Sequence, residues 1–285
     1  SVSKTLTAIT LIKLLEEKKI PVDSSIVPYL PKDMTLHPSI SNITFRQLLT
    51  HTSGLHDLGE PSYAVLKKEL SKEVPASDKV YQYQNSNFGI MRVLIPTIED
   101  GYAPPAATQD YTKSYLYGIR LMQATQKRVL NAVGIRSADC KNPSPDKCLS
   151  YQYPEPIQAG TDWGDMTATN AYRGWTLSAE EMSRVIRGLL YTEKLLTQAQ
   201  REAMLSGRLG IFPANVAGLE EYGHNGMHPG NPVPGGLNLG EVGTTIAGYS
   251  NGISVALFVN SQIDSGDSTS KPIRTAIIAD IAAHQ

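Results

Sequence analysis

The chain has 285 residues, of which 41% are hydrophobic and 19% charged, with a formal net charge of −1. That length allows one large domain or two small ones around a buried core. Near-neutral charge argues against a nucleic-acid or membrane-surface partner. The longest apolar run, Ala8 to Leu15, is broken by Lys13 and is too short for a membrane span.

The chain opens with Ser1-Val2-Ser3-Lys4. Residues 5–19 are expected to form a helix, apolar nearly all round at Ala8, Ile9, Leu11, Ile12, Leu14 and Leu15, which is the pattern of a buried helix. Residues three apart share a helix face, so Ser1 and Lys4 can meet. A serine hydroxyl is a weak nucleophile until a base takes its proton. A lysine can be that base when burial lowers its pKa. Alone, S-x-x-K is a common chance pattern, equally readable as a helix cap beside a solvated lysine.

Prolines at 21, 28, 31 and 38 mark an irregular stretch. Thr44 caps a short helix that runs to Thr50, with Gly54 available to end it. Residues 58–80 read as a helical piece and a loop. Next comes Tyr83-Gln84-Asn85. A nearby ammonium is expected to lower the Tyr83 pKa, so that it relays a proton between Ser1, Lys4 and a leaving group. Asn85 would hold a substrate carbonyl or orient Lys4. The bland alternative is a packed tyrosine on a turn, and Tyr81 offers a competing register without the Asn two places on.

Residues 111–133 carry a long helical pattern. Cys140 and Cys148 flank a turn-rich loop. A disulfide between them is expected, which would place the protein in an oxidising compartment, periplasmic or secreted; two unpaired thiols are the alternative. Residues 141–174 are rich in Pro, Gly, Asp and Asn, the composition of a loop that borders a site. Ser178 and Glu181 form a capping box ahead of a stripe of Met182, Val185, Ile186, Leu189 and Leu190. Thr197 and Gln200 repeat the box, so 44–207 is expected to be mostly helical.

After residue 210 the period changes. Three antiparallel strands are expected at about 218–226, 244–249 and 253–260, the last two joined by an Asn251-Gly252 turn. Tyr222-Gly-His224-Asn225-Gly226-Met227 lies at a strand edge. Gly226 would let a substrate approach the backbone. The strand edge can donate an N–H to a developing oxyanion, and His224 would bind or protonate a substrate group, unless it is structural. A final helix with Ile273, Ile277 and Ile281 on one stripe is expected to cross the sheet. Three strands make a thin sheet.

In this order, S-x-x-K, Tyr83-x-Asn85 and His224-x-Gly226 resemble the class C β-lactamase-like serine hydrolases. That family includes β-lactamases, D-alanyl-D-alanine carboxypeptidases, D-aminopeptidases and carboxylesterases. The stretch from Ile43 to Leu55, with Leu-Leu-Thr-His51-Thr-Ser-Gly54-Leu55, is similar to the family's signature, and Gly174 to Met182 resembles a later helix entry. Residues 90–170 depart most. The resemblance implies an α+β fold of the β-lactamase/penicillin-binding-protein type: an antiparallel sheet flanked by helices, plus a mostly helical subdomain. The expected division is 1–43 for the nucleophile helix and following loop, 44–210 for the helical subdomain, and 211–285 for the strands and C-terminal helix.

It also implies roles. Ser1 is the acylated nucleophile, Lys4 its proton partner, and Tyr83 the general base or relay. Asn85 orients substrate; His224 and Gly226 belong to the strand motif; the Met227 and Ser1 N–H groups form the oxyanion hole. His51 looks structural. His51, His56 and Asp57 have the spacing of no common metal site, and neither metal nor cofactor is implied.

The expected activity is hydrolysis of an ester or a D-amino-acid-containing peptide or amide through an acyl-enzyme. His224 in place of the lysine usual in class C β-lactamases tilts away from that activity. The alternatives are a class C-type β-lactamase, an amidohydrolase of the N-terminal-nucleophile kind using the Ser1 amine, and a penicillin-binding sensor that does not turn over. In the family the serine is preceded by a helix and two strands. The resemblance therefore implies an N-terminal segment or separate chain that completes the sheet, with cleavage ahead of Ser1 as one way to make that serine terminal.

Overall fold

A computed structural model describes residues 1–141, 148–151, 160–228, 231–233, 237–239, 242–261 and 269–283. Helix α1 (Ser3–Glu17) is buried almost all round, as its apolar pattern predicts. Its threonines are buried too, and each hydroxyl has a partner. Thr5 donates to the Gly210 carbonyl at 3.1 Å, Thr7 to the Ala171 carbonyl at 2.8 Å, and Thr10 to Thr125 Oγ1 at 3.1 Å. A buried hydroxyl costs stability unless bonded; here the three bonds tie α1 to three distant parts of the chain.

Helix α2 (Phe45–Leu49) starts at a capping box of Thr44 and Gln47. Helix α3 (Tyr63–Leu70) is capped by Ser62. A four-residue helix α4 (Ser86–Gly89) leads into α5 (Met91–Asp100), which ends at left-handed Gly101. Helix α6 (Asp110–Thr125) continues through a π turn at Gln126–Leu130 and a 3₁₀ turn at Asn131–Val133. Helix α7 (Ala179–Leu190) begins at the Ser178–Glu181 capping box, and α8 (Gln198–Ser206) at the Thr197–Gln200 box.

Strands β1 (Phe212–Val216), β2 (Leu219–His228), β5 (Val242–Tyr249) and β6 (Ser254–Val259) form one antiparallel sheet in the order β1-β2-β5-β6. Strands β3 (Asn231–Val233) and β4 (Leu237–Leu239) pair separately. Strand β1 was not expected. It carries Pro213, which is tolerated because β1 is an edge strand with a partner on one side.

Successive residues of a strand face opposite sides. On β5, Ala247 and Tyr249 pack with Val216 against Ile277 of α9 (Ser270–Ala283), with Ile273 and Ile281 beside it. Ile246 joins the main core instead, and Gly248 lies against Leu190 of α7. The sheet is thus covered by α9 on one face and by the helical body on the other. Arg274 of α9 pairs with the buried Glu221 carboxylate at 2.6 Å, which also accepts the Tyr249 hydroxyl at 2.6 Å. Among the described residues, no helix is long and apolar enough to cross a membrane.

Candidate active site

The first turn of α1 brings Ser1 and Lys4 together, with Lys4 Nζ 3.0 Å from Ser1 Oγ. Lys4 is fully buried. Its other polar neighbours are the Asn85 amide oxygen at 2.8 Å and the Tyr172 backbone carbonyl at 3.4 Å. Burial is the largest influence on this ammonium; the Asp57 carboxylate opposes it and Arg173 adds to it, and the pKa falls from 10.5 to about 7. A neutral amine has two N–H donors and one lone pair. The ammonium would donate to all three oxygens; the neutral amine can donate to Asn85 and Tyr172 and turn its lone pair to the Ser1 hydroxyl.

Tyr83 lies over Lys4, with Nζ 5.0 Å from the ring centroid. The residue is 40% exposed, yet its hydroxyl is turned toward Ser1, whose side chain acts on its titration. The expected lowering of its pKa is overturned. Desolvation dominates and pushes the phenol up to about 12, with the Ser1 bond only partly opposing it. Tyr83 is therefore a neutral proton donor at ordinary pH, and of the two groups Lys4 is the better base.

His51 is buried behind Tyr83, its ring stacked at 4.4 Å, and burial pushes its pKa down to about 4. Its Nδ1 accepts the Gln84 N–H at 3.3 Å, so it props the Tyr83–Asn85 loop from below. That matches a structural part.

His224 of β2 is buried beside Phe212 and Tyr83, with ring centroids at 5.1 and 6.3 Å. Its Nδ1 faces the Asn225 carbonyl at 2.7 Å, which makes Nδ1 the protonated nitrogen. Burial, with Lys4 nearby, holds its pKa well below the ordinary value. A neutral ring that keeps its proton on a backbone carbonyl does not fit the expected role of protonating substrate.

Gly226 pairs with Thr244 of β5 and lies against the nucleophile. A methyl group there would sit 2.8 Å from the Ser1 nitrogen and 3.3 Å from the Val2 nitrogen, and would meet the Thr244 hydroxyl. Glycine is needed for this close approach of β2 to the head of α1. Met227, next along the strand, is 72% exposed at the edge of a cavity.

That cavity has a volume of about 820 Å³. Its lining includes Ser1, Asn85, Gly226, Glu60, Trp163 and Arg173. The Glu60 carboxylate accepts from the Tyr172 hydroxyl at 3.0 Å and from Arg173 at 2.8 Å. Cys140 and Cys148 also border the cavity, and the expected disulfide is not made. Cys140 is buried, with its thiol pKa raised by desolvation, whereas Cys148 is exposed. The backbone around Cys140 is held elsewhere, by Met166 N–H on its carbonyl and by the Asp139–Thr176 bridge. The bridge therefore lends the expected oxidising compartment no support. The turn-rich loop at 142–147 lies outside the described residues.

Two contributors went unseen in the sequence. The Tyr172 carbonyl is a backbone acceptor, which any residue supplies. Asp57 accepts the Asn85 and Ser86 N–H groups at 2.8 and 2.7 Å. An Asn at a helix start reads as its own cap, so nothing in the sequence pointed to Asp57 in this part.

Comparison with known proteins agrees with this architecture. The family model described as Beta-lactamase matches residues 1–280. A curated relative, PbpX of Bacillus subtilis (strain 168), named as a penicillin-binding protein, is 28% identical over 103 residues, which is 34% of this chain and 25% of that protein. The match thus spans about a quarter of the relative's length. Among solved structures, D-amino acid amidase from Ochrobactrum anthropi SV3 complexed with L-phenylalanine amide superposes with a TM-score of 0.71 at 15% identity, over 100% of this chain and 84% of the other. A D-stereospecific amidohydrolase from Streptomyces sp. gives 0.66 at 20% identity, over 92% and 81%. The penicillin binding protein from Bacillus halodurans gives 0.66 at 18%, over 100% and 85%. At these identities the likeness is one of fold, and it agrees with the match along the sequence: the chain belongs to the Beta-lactamase family, with that family's antiparallel sheet and flanking helices.

Proposed function

We propose that this protein is a serine hydrolase that acts through an acyl-enzyme on an ester or a D-amino-acid-containing amide. The observation that carries the reading is the buried Lys4 amine, pKa about 7, placed 3.0 Å from Ser1 Oγ. The neutral amine takes the Ser1 proton as Oγ attacks the carbonyl. The tetrahedral intermediate sits beside Gly226, where the Ser1 and Met227 N–H groups would stabilise its oxyanion. Tyr83, a phenol at neutral pH, passes its proton to the leaving group and is reprotonated by the Lys4 ammonium, which restores the neutral amine. Water then attacks the acyl-enzyme, Lys4 taking its proton and returning it to Ser1 Oγ as the ester bond breaks. Asn85 holds the amine in line and faces the substrate across the cavity.

Buried, neutral His224 supports an ester, peptide or amide over a lactam, because the strand offers no cation where class C β-lactamases usually carry lysine. The names of the solved relatives, a D-amino acid amidase and a D-stereospecific amidohydrolase, support the amide side of the reading.

Hydrolysis of p-nitrophenyl acetate and of paired D- and L-phenylalanine amides, with a fluorescent penicillin as a label, tests this. Ser1→Ala is expected to abolish turnover of ester and D-amide alike. Stable penicillin labelling of Ser1 without turnover would replace the hydrolase by a sensor, and full activity in Ser1→Ala would end the reading.

A further inference from the structure

We infer that Asp57 is the positioning residue of this site: its carboxylate seats the head of α4 so that the Asn85 side chain meets Lys4. The inference rests on the hydrolase reading above. The first N–H groups of a helix have no carbonyl within the helix to bond. At the head of α4, Asp57 Oδ2 takes the Asn85 N–H at 2.8 Å and Oδ1 takes the Ser86 N–H at 2.7 Å. The Asn85 side chain makes no capping bond and points its amide oxygen at Lys4 instead, at 2.8 Å.

Asp57 is itself held. Its N–H donates to Gln84 Oε1 at 3.0 Å. The next residue, Leu58, donates its N–H to the buried Glu69 carboxylate at 3.0 Å, and the same oxygen accepts the Ser86 hydroxyl at 2.8 Å. Two carboxylates thus clamp one short loop to one short helix, and the product of the clamp is the position of Asn85. Charge-assisted bonds of this kind are stronger than neutral ones and tie down direction.

Asp57 also acts on Lys4 through space, since its charge favours the ammonium. The groups that face Lys4 are Ser1 on its own helix, Asp57 from the loop, Arg173 beyond Tyr172, and the uncharged rings of Tyr83, His51 and His224. Replacing Asp57 by a neutral group removes the one negative charge in this set, so the acid limb of the rate should move to lower pH.

The test compares wild type, Asp57→Asn and Asp57→Glu for the pH dependence of Ser1 labelling by a fluorophosphonate and of p-nitrophenyl acetate hydrolysis. An asparagine keeps the shape but can accept through one oxygen only. Expected for Asp57→Asn are labelling and kcat about 10- to 100-fold lower, as for a misplaced orienting group, KM nearly unchanged, and an acid limb lowered by about half a pH unit. Asp57→Glu should restore the limb and part of the rate. Wild-type rate and limb in Asp57→Asn would overturn the inference while leaving the hydrolase reading intact. A wild-type chain that does not label defeats both. If Asp57→Asn does not fold, Asp57→Ser is read in the same way; failure of both to fold would assign Asp57 to stability and overturn the positioning role.

Discussion

Lys4 stands where burial and its acceptors pull in opposite directions. Removing it from water favours the neutral amine, whereas Asp57 favours the ammonium, and burial wins by bringing the pKa to about 7. A base works only when it is free of its proton. The rate should therefore fall as pH drops through about 7, and the acid limb of kcat/KM for p-nitrophenyl acetate reports it. Lys4→Arg keeps a cation but never deprotonates at working pH. We expect it to lose about 10²- to 10⁴-fold in kcat and to lose that limb; a variant with a near-wild-type profile would show that Lys4 is not the base. The Ser1–Lys4 contact was readable from helix spacing, because both residues lie on one turn. The Tyr83 titration was not. An approaching ammonium is visible as a motif, but the desolvation that raises this phenol depends on the packed rings around it, which come from other elements.

At the scale of elements, the Thr44 cap and the capping boxes at Ser178 and Thr197 were legible because a cap is a local contract between residues three apart. The stripe of α7 and the α9 isoleucines were legible for the same reason, each being a period within one helix. Strand β1 was not, since Pro213 and Asn215 weaken its pattern and its existence depends on pairing with β2. Glu69 escaped notice too: a carboxylate on α3 reads as solvent-facing, yet here it is buried under the loop at Leu58 and the head of α4. Burial raises its pKa from 4.5 to about 6. A carboxyl that binds its proton more tightly folded than unfolded contributes stability below pH 4.5, and that contribution is lost as pH rises through about 6. The shift corresponds to about 2 kcal/mol. Glu69→Gln keeps an oxygen for Leu58 and Ser86 but carries no charge. Its stability relative to wild type should rise between pH 4.5 and 6 and then level off. Urea unfolding at a series of pH values checks this, and a constant difference across that range would refute it.

Across the whole molecule, the helical body and the sheet meet at α1, and each supplies part of the Lys4 environment. The sheet brings Gly226 to the head of α1. The helical body brings the Tyr172 carbonyl, through a chain of contacts that starts on α6. There Gly118 lies against the 3₁₀ turn at Thr167–Thr169, and its carbonyl accepts the Asn170 amide at 2.8 Å. One residue on, the Ala171 carbonyl takes the Thr7 hydroxyl at 2.8 Å, and the next carbonyl, Tyr172, faces Lys4 at 3.4 Å. A methyl at position 118 would run into the Thr167 carbonyl oxygen, with the Thr167 carbonyl carbon at 2.9 Å. That neighbour is backbone, so it yields only if the turn moves. Helix propensity alone would make Gly118→Ala stabilising by up to about 1 kcal/mol, whereas overpacking of this kind costs about 1–3 kcal/mol. The clash should win. The variant is expected to melt at a lower temperature. It should also turn over more slowly, because the displaced turn carries the Tyr172 carbonyl away from the amine. Thermal melting paired with ester kinetics decides it: a Gly118→Ala protein that is more stable than wild type, with full kcat, would show that the helical body does not hold Lys4 in register.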